Sequence, residues 1–181
     1  MSRDLRLDRE RPAVDGRGRR IAIVCSRFNE VIVDGLERGA RRALDSAGVA
    51  PDDVATHWVP GALEIPQTAR RIADAGGVDA VVALGAVIRG DTYHFEVVCD
   101  ASAAGLMQLS MSTDVVVTNG VLTVDDTDQA IARSGDDDHN KGAEAATAAL
   151  EMIAALEDFA GRPSTPRAEV SRPTRRPGPP S

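Results

Sequence analysis

Ala80-Val-Val-Ala-Leu-Gly-Ala-Val-Ile-Arg-Gly-Asp-Thr-Tyr-His94 is the stretch that decides how this chain folds. Its first five residues are apolar without a break, the pattern of a strand covered on both faces rather than one that alternates between core and solvent. Gly90, Asp91 and Thr92 end the run, and short polar side chains of this kind open helices. The reading therefore predicts a strand over 80–84 and a helix over 93–111. Working outward, further strands are expected at 21–25, 54–59 and 115–117, each near-continuous in apolar residues. Helices are expected at 31–47, 64–75, 126–134 and 141–159, the last with apolar positions at Ala146, Leu150, Ile153 and Leu156. Strand and helix in alternation, joined by right-handed crossovers, predict a single-domain α/β fold: a doubly wound, flavodoxin-like four-stranded parallel sheet flanked by helices as an αβα sandwich.

The 181 residues are enough for one compact core, and 43% hydrophobic with 3% aromatic content suits tight helix-on-sheet packing. Three segments are expected: a polar N-terminal extension over 1–20, the α/β domain over 21–160, and an Arg/Pro-rich tail over 161–181 too poor in apolar residues to fold. The formal charge of −7 conceals a strong division. The extension carries +3 and the tail +4, so the domain between them carries −14. Such an acidic body is a poor partner for nucleic acid, whose backbone is bound through clustered Lys and Arg. With no apolar run of membrane length and no apolar leader, a cytoplasmic location without membrane contact is expected. Cys25 and Cys99 sit in apolar runs without metal-ligand spacing, and both read as reduced core residues.

Open parallel sheets bind ligands beyond the carboxyl ends of their strands, so the site is expected in the four post-strand loops, gathered at one end of the sheet. Gly90-Asp91-Thr92 either caps its helix or offers an anion seat at the helix N-terminus. Arg133 and Lys141 flank the polar loop 134–140, and each is either a solvated helix-end charge or a ligand converging on one anion, Arg as a planar fork and Lys as a point charge. His94, in the first turn beyond that seat, is a candidate proton donor or acceptor. Phe28 either plugs its loop or stacks on a flat heterocycle. Pro60, Gly61 and Ala62 are expected to bring backbone close to a ligand, and Glu64 either complements the helix dipole or accepts hydrogen bonds from a polyol. Asn119-Gly120 reads as a turn or as a polar pocket edge. His57 and His139 read as non-catalytic, and no Walker or dinucleotide glycine pattern occurs.

Six ordered segments carry a resemblance to a known family: Arg27-Phe28-Asn29, residues 59–66, residues 83–94, residues 119–123, residues 129–133 and residues 140–146. Over about residues 20–160 the chain resembles the lumazine synthases of riboflavin biosynthesis. That resemblance implies a transferase joining 5-amino-6-(ribitylamino)uracil to 3,4-dihydroxy-2-butanone 4-phosphate, giving 6,7-dimethyl-8-ribityllumazine, phosphate and water, with neither cofactor nor metal. It implies that Phe28 stacks on the pyrimidine, and that Gly61, Ala62, Leu63, Glu64, Val87, Ile88 and Asn119 line the ring and ribityl subsites. Gly90, Asp91, Thr92 and Arg133 would hold phosphate with help from Lys141, and His94 would shuttle protons. It further implies a homopentamer whose sites are shared, Asn119 coming from the neighbouring subunit. Some members build sixty-subunit shells; the Asp136-Asp137-Asp138 run departs from the pattern of shell formers. Two enzymes or proteins of the same fold compete with this reading, an archaeal-type riboflavin synthase and a flavodoxin-like binder. A third competitor is a scaffold that has lost turnover.

Overall fold

A computed structural model describes residues 14–161. Four parallel strands, β1 (Ile21–Ser26), β2 (Val54–Val59), β3 (Ala80–Ile88) and β4 (Val116–Val124), lie in the order β2-β1-β3-β4. The helices are α1 (Glu30–Ser46), α2 (Glu64–Ala75), α3 (His94–Ser110), α4 (Thr127–Ser134) and α5 (Lys141–Gly161). The predicted doubly wound α/β sandwich is the observed one. Ile21, Ile23 and Cys25 point to a core under α1, α4 and α5, whereas Ala22 and Val24 point to a second core under α2 and α3. Alternation of this kind is what a strand period of two demands, and an apolar residue at every position from 21 to 25 satisfies both layers.

Coverage on both faces holds for the central strands alone. β1 is buried throughout, but edge strand β2 exposes Ala55 and His57. A larger correction concerns β4. The expected strand at 115–117 continues to Val124, because Asn119 pairs with Ala83 and each residue beyond it pairs with β3 up to Val124 opposite Ile88. Asn119-Gly120 is therefore strand, not a post-strand turn. The extended β3 offers a nine-residue ladder, and its backbone pairing outweighs the poor strand propensity of two residues. By the same extension Val87 and Ile88 belong to β3, and the connection to α3 shrinks to residues 89–93. Helix bounds follow expectation within two residues, and α2 matches it at both ends. Leu156, expected on the packed face of α5, is exposed, and Cys99 is half-buried rather than in the core.

α5 packs on α1 at close range because the contact is made of small residues. A Cβ on Gly142 would overlap the Leu36 carbonyl, and one on Gly39 would overlap the Asn140 side chain. Residues 14–20, from the segment expected as a polar extension, lie on the domain. Arg19 makes a two-pronged pair with Glu157 at 2.6 and 2.7 Å, and the Arg20 amide donates to Asp79. Gly161, expected in the tail, ends α5, and the rest of the extension and of the Arg/Pro-rich tail expected to be disordered lie outside the described residues.

Candidate functional site

A cavity of about 400 Å³ opens at the carboxyl ends of β1, β2 and β3, within the range of small-molecule sites. Three loops form it, and one residue ties them together. Asn29 adopts the left-handed conformation (φ 59°, ψ 42°), which Asn tolerates better than other side chains with a Cβ. Its Nδ2 donates to the Ala86 carbonyl near the end of β3 (2.8 Å), and its own carbonyl accepts from Ile32 and Val33 in the first turn of α1. On the other side, the Arg27 and Phe28 amides donate to Val59 and Pro60 at the end of β2. Phe28 is held by its backbone from both flanks while its ring stands 74% exposed at the mouth. A ring fixed in place but left without cover suits stacking on a planar ligand; as a plug it would be buried.

Gly61 to Glu64 line the opposite wall. A Cβ on Gly61 would come within 3.0 Å of Glu64 Oε2, so glycine lets the carboxylate turn toward the cavity mouth. Ala86, Val87, Ile88, Phe95 and Val98 make the floor apolar, and Asn29, Glu64, Thr92 and His94 are its polar side chains. Asn29, Ala86, Phe95 and Val98 were missed by sequence reasoning. The signal for Phe95 was its place immediately after His94; that for Asn29 was an Asn between strand and helix.

Residues 90–93, with His94 at the head of α3, form the rim. Gly90 and Thr92 face the cavity with His94, while Asp91 is exposed outside its lining. α3 starts without a side-chain cap. Arg89, just before the rim's glycine, donates its backbone amide to Val124 at 2.9 Å and its guanidinium to Glu96 and Asp125, and it lies 4.1 Å over the Phe95 ring. Its hydrogen bonds to Glu96, then to Asp125, raise its pKa, and the same contact lowers that of Glu96.

Asn119, Arg133 and Lys141 are brought together, but elsewhere. They line a second cleft of about 420 Å³ between β4, α4 and α5. Arg133 donates to the Gln129 carbonyl, and Lys141 Nζ bonds both Glu144 oxygens at 2.8 Å. Asp126 accepts from the Gln129 amide and so caps the short helix that carries Arg133. Thus the residues expected at one end of the sheet are divided between two clefts of the chain. A third cleft, of about 580 Å³ between α1 and α5, contains Asp136, Asp137 and Asp138, with Asp136 paired to Arg42. His57 and His139 are exposed and lie in none of these three clefts. Among the described residues no group of His, Cys, Asp and Glu could hold a metal ion, and no helix is long and apolar enough to cross a membrane.

The family model for 6,7-dimethyl-8-ribityllumazine synthase matches residues 18–157. Proteins bearing that name are similar over most of their length. One from Kineococcus radiotolerans is 51% identical over 152 residues, 83% of this chain and 92% of its own. One from Gemmatimonas aurantiaca is 52% identical over 138 residues, 76% of this chain and 84% of its own. One from Leuconostoc mesenteroides is 47% identical over 146 residues, 81% of this chain and 94% of its own.

Proposed function

We propose that this chain, which belongs to the 6,7-dimethyl-8-ribityllumazine synthase family, carries out the family's reaction in a site completed by a second copy of itself. It is a transferase of riboflavin biosynthesis. The ribitylamino-pyrimidine lies on Phe28, with its ring edge along residues 61–63 and 86–88 and its polyol toward Glu64. The four-carbon ketone phosphate lies at the rim, its phosphate against Gly90, Asp91 and Thr92. The pyrimidine 5-amino group attacks the ketone and water leaves as the imine forms. Phosphate then departs by elimination, and attack of the ribitylamino nitrogen closes the ring with loss of a second water. His94, at the start of α3 between ketone and phosphate, moves protons for these steps. Holding two substrates in register is the larger contribution, since proximity alone is worth about 7 to 11 kcal/mol in well-oriented systems.

The observation that carries this reading is the split of the site. Among the described residues, the cavity of Phe28 and His94 has no Arg or Lys in its lining, whereas Arg133, Lys141 and Asn119 share another cleft. An anionic substrate needs the second set, so a neighbouring subunit supplies it. Exposed apolar side chains on α3 (Val97 and Met107), Met111 just beyond it, and Val31 at 86% exposure supply a surface for that neighbour. Heterologous contacts of this kind close into a ring, which we take to be a cytoplasmic homopentamer. The deciding experiment measures fluorescent lumazine formed from both purified substrates, with spontaneous condensation subtracted. Wild-type protein exceeds background and Arg133→Ala falls sharply. Absence of product from a folded oligomer would instead favour a scaffold.

A further inference from the structure

We propose that Arg89 is a positioning residue: through Phe95, Glu96 and Asp125 it holds the rim 90–94, and hence the phosphate seat and His94, without touching substrate. The inference rests on the function proposed for this cavity. Arg89 lies outside the cavity lining, and its charge is shared between two carboxylates, which makes it a poor anion ligand and a good brace.

The rim has little else to fix it. A Cβ placed on Gly90 would meet nothing within 4 Å, and the helix after it has no side-chain cap. The backbone bonds across its end are long, Phe95 to Thr92 at 3.4 Å and Val97 to Tyr93 at 3.3 Å. Arg89 closes the segment at its base, because residue 89 on one side is bonded to Glu96 and stacked on Phe95 on the other. The same side chain reaches Asp125, and its own amide reaches Val124, so the rim is clamped to the end of β4. Beyond that clamp the Asp125 amide donates to Gln129 Oε1 at the entry to α4, the helix that carries Arg133 in its last turn. Each pair is exposed, and exposed ion pairs add little to global stability. What the network supplies is a fixed shape for a short loop.

Arg89→Met keeps the stem over Phe95 and removes every side-chain N–H, whereas Arg89→Lys keeps one donor group. In steady-state assays of the full-length oligomer, Arg89→Met is expected to raise KM for the ketone phosphate and lower kcat by about tenfold each, the scale of a small misplacement of reacting groups. KM for the pyrimidine stays within about twofold and the thermal midpoint within about 2 °C, as for a surface change. Arg89→Lys recovers part of the loss. Hydrogen exchange, which needs no turnover, is expected to speed up at amides 92–97 in Arg89→Met and to stay unchanged in β1. Wild-type kinetics with unchanged exchange overturns the proposal. So does a loss that raises both KM values together with a matching drop in thermal midpoint, the mark of a merely structural residue. Should the wild-type protein make no lumazine, the functional reading falls, and exchange at 92–97 alone decides for or against Arg89.

Discussion

Asn140 donates from Nδ2 to the carbonyl of Gly35 across 2.9 Å, at a point where its side chain has no contact with solvent. The same nitrogen donates to the Gly135 carbonyl at 2.7 Å, and Oδ1 accepts from the Ala143 amide at 3.0 Å. One side chain thus caps α5, closes the 135–140 loop and fastens both to α1. All three of its partners are backbone groups, so removing it from this buried position leaves donors and acceptors unsatisfied.

Asn140→Ala should therefore lower stability by about 3 kcal/mol, the sum expected for a lost cap and orphaned buried carbonyls. For a chain of this size that corresponds to a fall in thermal midpoint of roughly 6 to 12 °C. Calorimetry against wild type checks it, and a shift under a degree or two would show that the three bonds are dispensable.

Gly142→Ala tests the same contact from the other side. The added methyl would overlap the Leu36 backbone, which cannot rotate away as a side chain would. We expect a loss of about 2 kcal/mol or more from overpacking, read by denaturant midpoint. Ala143→Gly, one position on, lacks this clash and should cost only about 1 kcal/mol, the ordinary penalty for glycine in a helix.

Much of this architecture was legible in the sequence because the strands that matter most are buried on both faces and so read as unbroken apolar runs. β2 matches the expectation at both ends, as does α2. Where the reading failed, a non-local contact decided the outcome. Asn119-Gly120 has the composition of a turn, and only the ladder with β3 makes it strand. The brace on the rim was invisible because Glu96 and Asp125 lie seven and thirty-six residues beyond Arg89. The candidate residues could be picked out individually, yet their division between a cavity at the ends of β1, β2 and β3 and a cleft between β4, α4 and α5 follows from how the helices pack on the sheet, which no local pattern records.

Stability should fall at both extremes of pH, for separable reasons. Asp15 is held at about 2 by its hydrogen bonds to Arg17, and Glu157 is lowered by its bond to Arg19. A depressed folded-state pKa means stability fully present above the unfolded carboxylate value and lost as pH falls through the folded one. For Asp15 that window runs from the ordinary aspartate value of 3.8 down to about 2. Cys25 works in reverse: burial pushes its thiol from 9.0 up to about 12, so the native state keeps a proton that the unfolded chain loses. Its contribution is complete below pH 9 and lost as pH rises toward 12. Cys25→Ser should flatten the alkaline limb of a stability–pH curve and leave the acid limb alone; an unchanged alkaline limb would contradict the assignment.

His94→Ala should slow turnover without abolishing it. In the proposed site the ketone and amine would still meet in the variant's cavity, and general acid–base assistance contributes about 10² or more where proton transfer limits the rate. A smaller factor is expected here, about 10 to 10², because water at the exposed His94 position can carry protons in its place. Single-turnover formation of lumazine checks the figure, and complete loss in a folded variant would mean that proton transfer, not alignment, dominates.

The proposed sharing of the site between subunits makes a sharper prediction, because two inactive proteins should rescue each other. Phe28→Ala removes the stacking ring from the first cleft and Arg133→Ala removes the guanidinium from the second. If one chain provides both halves of its own site, every site in a mixture carries one lesion or the other and activity stays at the level of the separate variants. If neighbours provide them, some sites in a mixed ring pair an intact Phe28 with an intact Arg133. For equal amounts refolded together, the chance that both contributing subunits are intact at the needed position is roughly one in four in a ring of heterologous contacts. Activity should accordingly rise to about a quarter of wild type on co-refolding and not on simple mixing of preformed oligomers. No gain from a verified mixed oligomer would return the two clefts to one subunit and require Arg133 to serve some purpose other than holding phosphate.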